Sequence, residues 1–141
     1  MAEVLIGMGS NIEPESNLQS AAIALRAAFE GVSFSSVYRS EAVGMDSAAD
    51  FLNACCRFES DLSQLAIKAC LKRLEDAQGR DRSKGSWKPR TLDLDLLMYN
   101  DKVLDDELYR YAHAYVPAAE LVEVGLPKDE MNSVSLMELR L

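Results

Sequence analysis

Two opposite electrostatic devices stand side by side between residues 79 and 97, in Gly-Arg-Asp-Arg-Ser-Lys-Gly-Ser-Trp-Lys-Pro-Arg-Thr-Leu-Asp-Leu-Asp-Leu-Leu. The first is a basic segment with Arg80, Arg82, Lys84, Lys88 and Arg90, in which Asp81 is the only acid. The second alternates Leu92, Leu94 and Leu96 with Asp93 and Asp95. Neighbouring side chains on a strand point to opposite faces, so the leucines share one face and the carboxylates the other. Residues i and i+2 lie about 6.6 Å apart at a rise of ~3.3 Å per residue, within reach of one or two shared divalent cations. Carboxylates that hold Mg²⁺, beside guanidinium groups that fork onto phosphate oxygens, suit chemistry on ATP. The same pattern also fits a half-buried strand with a wet acidic face behind a solvated loop.

Bulk composition narrows the setting for that chemistry. A chain of 141 residues, 48% hydrophobic and 27% charged, has the make-up of one globular domain spanning residues 1–141. A net charge of −8 argues against nucleic acid or an anionic membrane as the main partner. It also makes five cations between positions 80 and 90 a focused anion site. Cys55, Cys56 and Cys70 make an odd count without metal-site spacing, and His113 is the only histidine, so a structural zinc site is not expected. The start, Met-Ala-Glu-Val-Leu-Ile, enters a strand directly without a basic leader, and no apolar run reaches membrane length. A reducing, cytoplasmic location is expected.

The elements that must carry these residues alternate along the chain. Glu3–Met8 reads as a strand closed by Gly9-Ser10-Asn11. Pro14 suits a first helical turn, and Leu18, Ala21, Ala22, Leu25 and Phe29 follow at helical spacing. Val32–Tyr38 reads as a second strand, Arg39–Asp50 as a long loop, and Phe51–Phe58 as a third strand. Ser63 can cap a second helix whose Ile67, Cys70, Leu71 and Leu74 form one stripe ending at Gly79. The basic segment and the Leu-Asp strand to Tyr99 come next. The order β-α-β-β-α-β is that of an α+β, ferredoxin-like unit, an antiparallel sheet with both helices packed on it. A short C-terminal extension follows, with a strand expected near Val103–Leu108 and a helix over Val116–Val122 starting near Pro117. The basic segment has few residues to pin it and is expected to order over ATP when its arginines meet phosphates.

Several of these segments fall into one ordered set. Gly9-Ser10-Asn11, Tyr38-Arg39-Ser40, Phe51-Leu52-Asn53-Ala54 and Glu59-Ser60-Asp61-Leu62-Ser63 are followed by Leu74-Glu75, Gly79-Arg80 and Arg82. The stretch from Trp87 to Leu97 is the most specific. Together they resemble the 6-hydroxymethyl-7,8-dihydropterin pyrophosphokinase family, from about Val4 to about Leu104. The resemblance implies an Mg-ATP-dependent transfer of diphosphate to a pterin alcohol in folate biosynthesis, with ATP as co-substrate. It implies that Asp93 and Asp95 bind two Mg²⁺. Arg80, Arg82 and Arg90 would act on the phosphates together with Trp87, which would help close the site. Arg82, Trp87, Arg90, Glu75 and Arg110 would serve ATP binding, and Ser40, Gly44, Phe51 and Asn53 the pterin. Asn offers both donor and acceptor to a heterocycle edge, and Phe can stack on it.

The chain also departs from the family pattern. Glu41 and Ala42 stand where prolines are usual, and the stretch Leu108–Pro117 is short and lacks a Pro-His pair. Arg110 or His113 could supply the missing charge and Tyr111 or Tyr115 the missing wall, although a lone histidine in an aromatic segment also fits simple packing. An active enzyme, a weak or inactive relative that binds nucleotide or pterin, and an enzyme with another pterin acceptor all fit the sequence. Partners are expected to be small molecules, with no nucleic acid or membrane, on a monomer or weak homo-oligomer.

Overall fold

Strand β1 (Ala2–Ser10) divides its side chains as the apolar pattern requires. Val4, Ile6 and Met8 are buried against helix α1 (Pro14–Ala28), while Leu5 faces the other side of the sheet. The computed structural model describes residues 1–40, 50–77, 92–122 and 134–141. Pro14 occupies the first turn of α1, and Leu18, Ala21, Ala22 and Leu25 form its buried stripe. Ser63 caps helix α2 (Gln64–Ala77): its Oγ accepts the Ala66 N–H at 3.2 Å. Ile67 and Leu71 of α2 join the same core as α1, so both helices cover one face of the sheet. Phe29 stacks on Phe58 there at a 4.0 Å centroid separation. Each fully buried Leu, Ile or Phe in such a core contributes about 1.5–3 kcal/mol.

The strands are β2 (Ser33–Phe34), β3 (Val37–Ser40), β4 (Phe51–Ser60), β5 (Asp93–Tyr99), β6 (Lys102–Val103) and β7 (Val134–Met137). They form an antiparallel sheet in the order β6-β5-β1-β4-β3-β7, with β2 pairing to β4 off that path. The protein is therefore α+β with helices packed on an antiparallel sheet, as expected.

Four local expectations are corrected. The strand expected over Val32–Tyr38 is broken, because between Phe34↔Cys56 and Tyr38↔Asn53 it takes four steps where β4 takes three. Ser35 fills that one-residue bulge, its Oγ accepting the Cys55 N–H at 2.8 Å. Arg39 and Ser40, expected to open a loop, instead end β3. The strand expected near Val103–Leu108 stops at Val103. Asn100 and Asp101 both have positive φ, 52° and 70°, which makes a tight hairpin from β5 into β6. Helix α3 (Glu107–Arg110) then begins, with Asp105 Oδ1 accepting the Glu107 N–H at 3.0 Å. Finally, helix α4 (Ala112–Ala119) starts before Pro117 rather than at it. Its small buried residues Ala114 and Ala118 let it lie close against Leu5, Cys55 and Leu97 on the second face of the sheet. The C-terminal β7, which the sequence left undetermined, adds an edge strand to β3. No helix among the described residues is long and apolar enough to cross a membrane.

Candidate active site

A cavity of about 300 Å³ opens on that second face, beside α3 and α4. Its floor exists because β1 carries glycine there. A Cβ on Gly9 would stand 3.4 Å from Asn53 Oδ1 and 3.9 Å from the Phe51 ring, and one on Gly7 would meet Leu97 at 3.0 Å. The sheet register fixes what surrounds this floor. Gly9 pairs with Asp93 of β5 on one side and with Asn53 of β4 on the other, and Gly7 pairs with Asp95 and Cys55. Asp93 and Asn53 thus lie two strands apart, about 9–10 Å at the usual strand spacing. Ser40, Phe51, Asn53, Asp93 and Asp95 all line the cavity.

The carboxylate strand behaves as its alternation requires. Leu92, Leu94 and Leu96 enter the helix-covered core, and Asp93 and Asp95 face the cavity. Leu97 falls on the cavity side with the aspartates by the same alternation. A register shift between Leu5 and Ile6 leaves it without a partner on β1, so that beyond this bulge Met98 packs on the cavity side and Tyr99 against the helix-covered core. Asp95 keeps an exposed face, yet enough protein surrounds its carboxyl for burial to be the main force pushing it up to about 7. The charges of Glu107, Asp93, Asp105 and Glu75 add to that push. Among the described residues no group of three or more His, Cys, Asp or Glu side chains converges on a metal position. A pair of carboxylates nevertheless suits Mg²⁺, a hard ion that keeps water and takes substrate phosphates as its other ligands.

The polar residues that β3 and β4 bring to the cavity are more enclosed. Asn53 and Ser40 are buried, and Asn53 Nδ2 donates to Ser40 Oγ at 2.8 Å and to the Tyr38 carbonyl at 3.3 Å. Asn53 Oδ1 lies on the Gly9 side, toward the floor of the cavity.

A family-level comparison matches residues 5–135 to the 7,8-dihydro-6-hydroxymethylpterin-pyrophosphokinase family. The chain belongs to that family. Its relatives include the 2-amino-4-hydroxy-6-hydroxymethyldihydropteridine pyrophosphokinase of Haemophilus influenzae, 35% identical over 89% of this chain and 80% of that protein. The enzyme of the same name from Pseudomonas putida is 35% identical over 80% of this chain and 95% of its own. That of Aquifex aeolicus is 29% identical over 95% of this chain and 84% of its own.

Not every residue singled out in this pyrophosphokinase sequence meets at the cavity. Glu75 stands behind it: buried on α2, its Oε2 accepts the Leu94 N–H at 2.8 Å, between the two aspartates. Arg110 is exposed, 3.8 Å from Asp106, and is not among the cavity-lining residues. Tyr111 and Tyr115 do not line it either; Tyr111 stacks on His113 at 5.1 Å. His113 does line the cavity, with its Nε2 2.8 Å from Glu107 Oε1. Glu107 is the charged lining residue that sequence reasoning missed, since only the β5–β6 hairpin turns α3 back over the sheet. Gly44, Arg80, Arg82, Trp87 and Arg90 lie outside the described residues.

Proposed function

We propose that this chain transfers the diphosphate of ATP to 6-hydroxymethyl-7,8-dihydropterin, releasing AMP and the pterin diphosphate, a step of folate biosynthesis. The observation that carries the reading is the row Asp93–Gly9–Asn53 across three strands, with the Asn53 side-chain amide within one small-molecule length of a carboxylate pair. In this reading Asn53 Oδ1 accepts an N–H of the pterin and Phe51 stacks on its ring. Gly9 leaves the floor open for the flat bicycle. The ring is thereby held so that its hydroxymethyl oxygen points toward the aspartates, the positioning that an in-line displacement at the β-phosphorus needs.

Asp93 and Asp95 would hold the metal, and we propose two Mg²⁺ ions. When bound, Mg²⁺ neutralises charge on the ATP phosphate oxygens. Arg80, Arg82 and Arg90 would fork onto the same phosphates, with Trp87 helping to exclude water. Glu75 would serve the nucleotide side through strand β5, which it anchors, and Arg110 would have to leave Asp106 to reach ATP. The pattern β1-α1-β3-β4-α2-β5, with β5-β1-β4-β3 adjacent in the sheet, supports a ferredoxin-like unit edged by β6 and β7. A single domain over residues 1–141, acting in the cytoplasm as a monomer or weak homo-oligomer, completes the proposal. Its test is direct: purified protein with Mg-ATP should form AMP only when the dihydropterin alcohol is added. ATP binding without pterin-dependent AMP would overturn it.

A further inference from the structure

The Asn53 amide is held in one orientation by two neighbours of different kinds. The Tyr38 carbonyl can only accept, so the nitrogen must face it. The Ser40 hydroxyl makes the shorter contact, 2.8 Å against 3.3 Å, and so supplies most of the hold. With both amide hydrogens committed, Asn53 presents an acceptor to the cavity, and Gly9 keeps that acceptor uncovered. Reversing the amide would set oxygen against the Tyr38 carbonyl oxygen in a buried place. Ser40 is itself tightly framed. It is 3% exposed, ends β3, and its backbone pairs with Phe51 of β4 and with Val134 of β7. Glu120, at the end of α4, accepts hydrogen bonds from Tyr38 Oη and from the Ser36 N–H and Oγ, which fixes the same short strand from its other end.

We propose that Ser40 is a positioning residue whose hydroxyl holds in place the Asn53 amide that the Tyr38 carbonyl orients, so that the site selects a ligand edge presenting an N–H donor. This deepens the pterin reading and rests on it. The hydroxyl contributes by orienting Asn53 and makes no contact with the reacting atoms.

The test compares Ser40→Thr with Ser40→Val, which match in shape and differ only in the hydroxyl. Affinity for 6-hydroxymethyl-7,8-dihydropterin and the KM values of both substrates are measured, together with thermal unfolding. Ser40→Val should weaken pterin binding about tenfold, the size expected for one lost buried hydrogen bond, while the KM for ATP holds. Ser40→Thr should stay near the unaltered protein. Asn53→Ala should weaken pterin binding at least as much, and adding Ser40→Val to it should cause little further loss, because the hydroxyl then has nothing to orient. Equal pterin affinity in the Thr and Val variants would overturn this inference alone, as would losses that multiply in the double variant. Failure of the unaltered chain to bind the pterin at all would overturn the functional reading and this inference with it.

Discussion

Asp95 faces the cavity among Glu107, Asp93, Asp105 and Glu75, and burial with those charges raises its carboxyl to about 7. A cation must therefore displace a proton to bind there below neutrality. The expected outcome is Mg²⁺ affinity, read by calorimetry, that climbs from pH 5.5 to about 7 and then levels. Asp95→Asn should flatten that dependence. Replacing either Asp93 or Asp95 by Ala should lower kcat/KM on the order of 10²–10³-fold, as the loss of a charge-stabilising group does. For Asp95→Ala the melting temperature should not fall, since that side chain lies outside the leucine core and its raised carboxyl opposes folding at neutral pH. Both residues were legible because period-two alternation assigns faces without knowledge of the fold. Glu107 was not legible, for its place in the site depends on two consecutive left-handed residues, Asn100 and Asp101, that no periodicity announces.

At the scale of elements, the link between α2 and β5 carries the most consequence for the site. Glu75 is buried and its carboxylate accepts the Leu94 N–H, so it braces the strand bearing the aspartates. Glu75→Ala would leave the Leu94 N–H unpaired in the core, and chemical denaturation should show a loss of about 1–3 kcal/mol. Glu75→Gln keeps an acceptor and should recover most of it. The amphipathic stripes of α1 and α2 and the apolar strands were readable because each repeats its signal over several turns or pleats. Short elements were not. The Ser35 bulge, the two-residue β6 and the start of α4 each turn on one or two hydrogen bonds or dihedrals. The cysteines test this packing. Burial raises the Cys55 thiol far above its usual range and the Cys56 thiol to about 12, whereas Cys70 is only partly covered. A thiolate reagent at pH 8 should label Cys70 alone in the native protein and all three after denaturation.

Over the whole molecule, a net charge of −8 is distributed unevenly in its consequences, because a few carboxylates set the slope of stability against pH. Glu3 is held below its usual range by its hydrogen bond from Arg57 and by that residue's charge, against an opposing effect of burial. Burial works against ionised Glu120, but the hydrogen bonds from Tyr38 and Ser36 together outweigh it and hold this carboxyl low as well. Depressed folded values mean that both contribute stability above the ordinary carboxylate range and lose it as acid protonates them. Asp95 has the opposite sign. Its folded value, about 7 against an ordinary 3.8, means the folded chain binds the proton more tightly than the unfolded one. Its penalty is absent in acid, grows as pH rises from about 4 to about 7, and is constant beyond. After discounting for its exposed face, that penalty is on the order of 1 kcal/mol. Stability without ligands should therefore peak on the acid side of neutrality, falling below it through Glu3 and Glu120 and above it through Asp95. Thermal unfolding across pH 4–8, with and without Mg²⁺, checks this. Asp95→Asn should remove the decline between pH 5 and 7, and saturating Mg²⁺ should offset it in the unaltered chain by compensating the clustered negative charge. A decline that survives Asp95→Asn would place its origin in another group and would break the link between this strand's alternation and the electrostatics of the site.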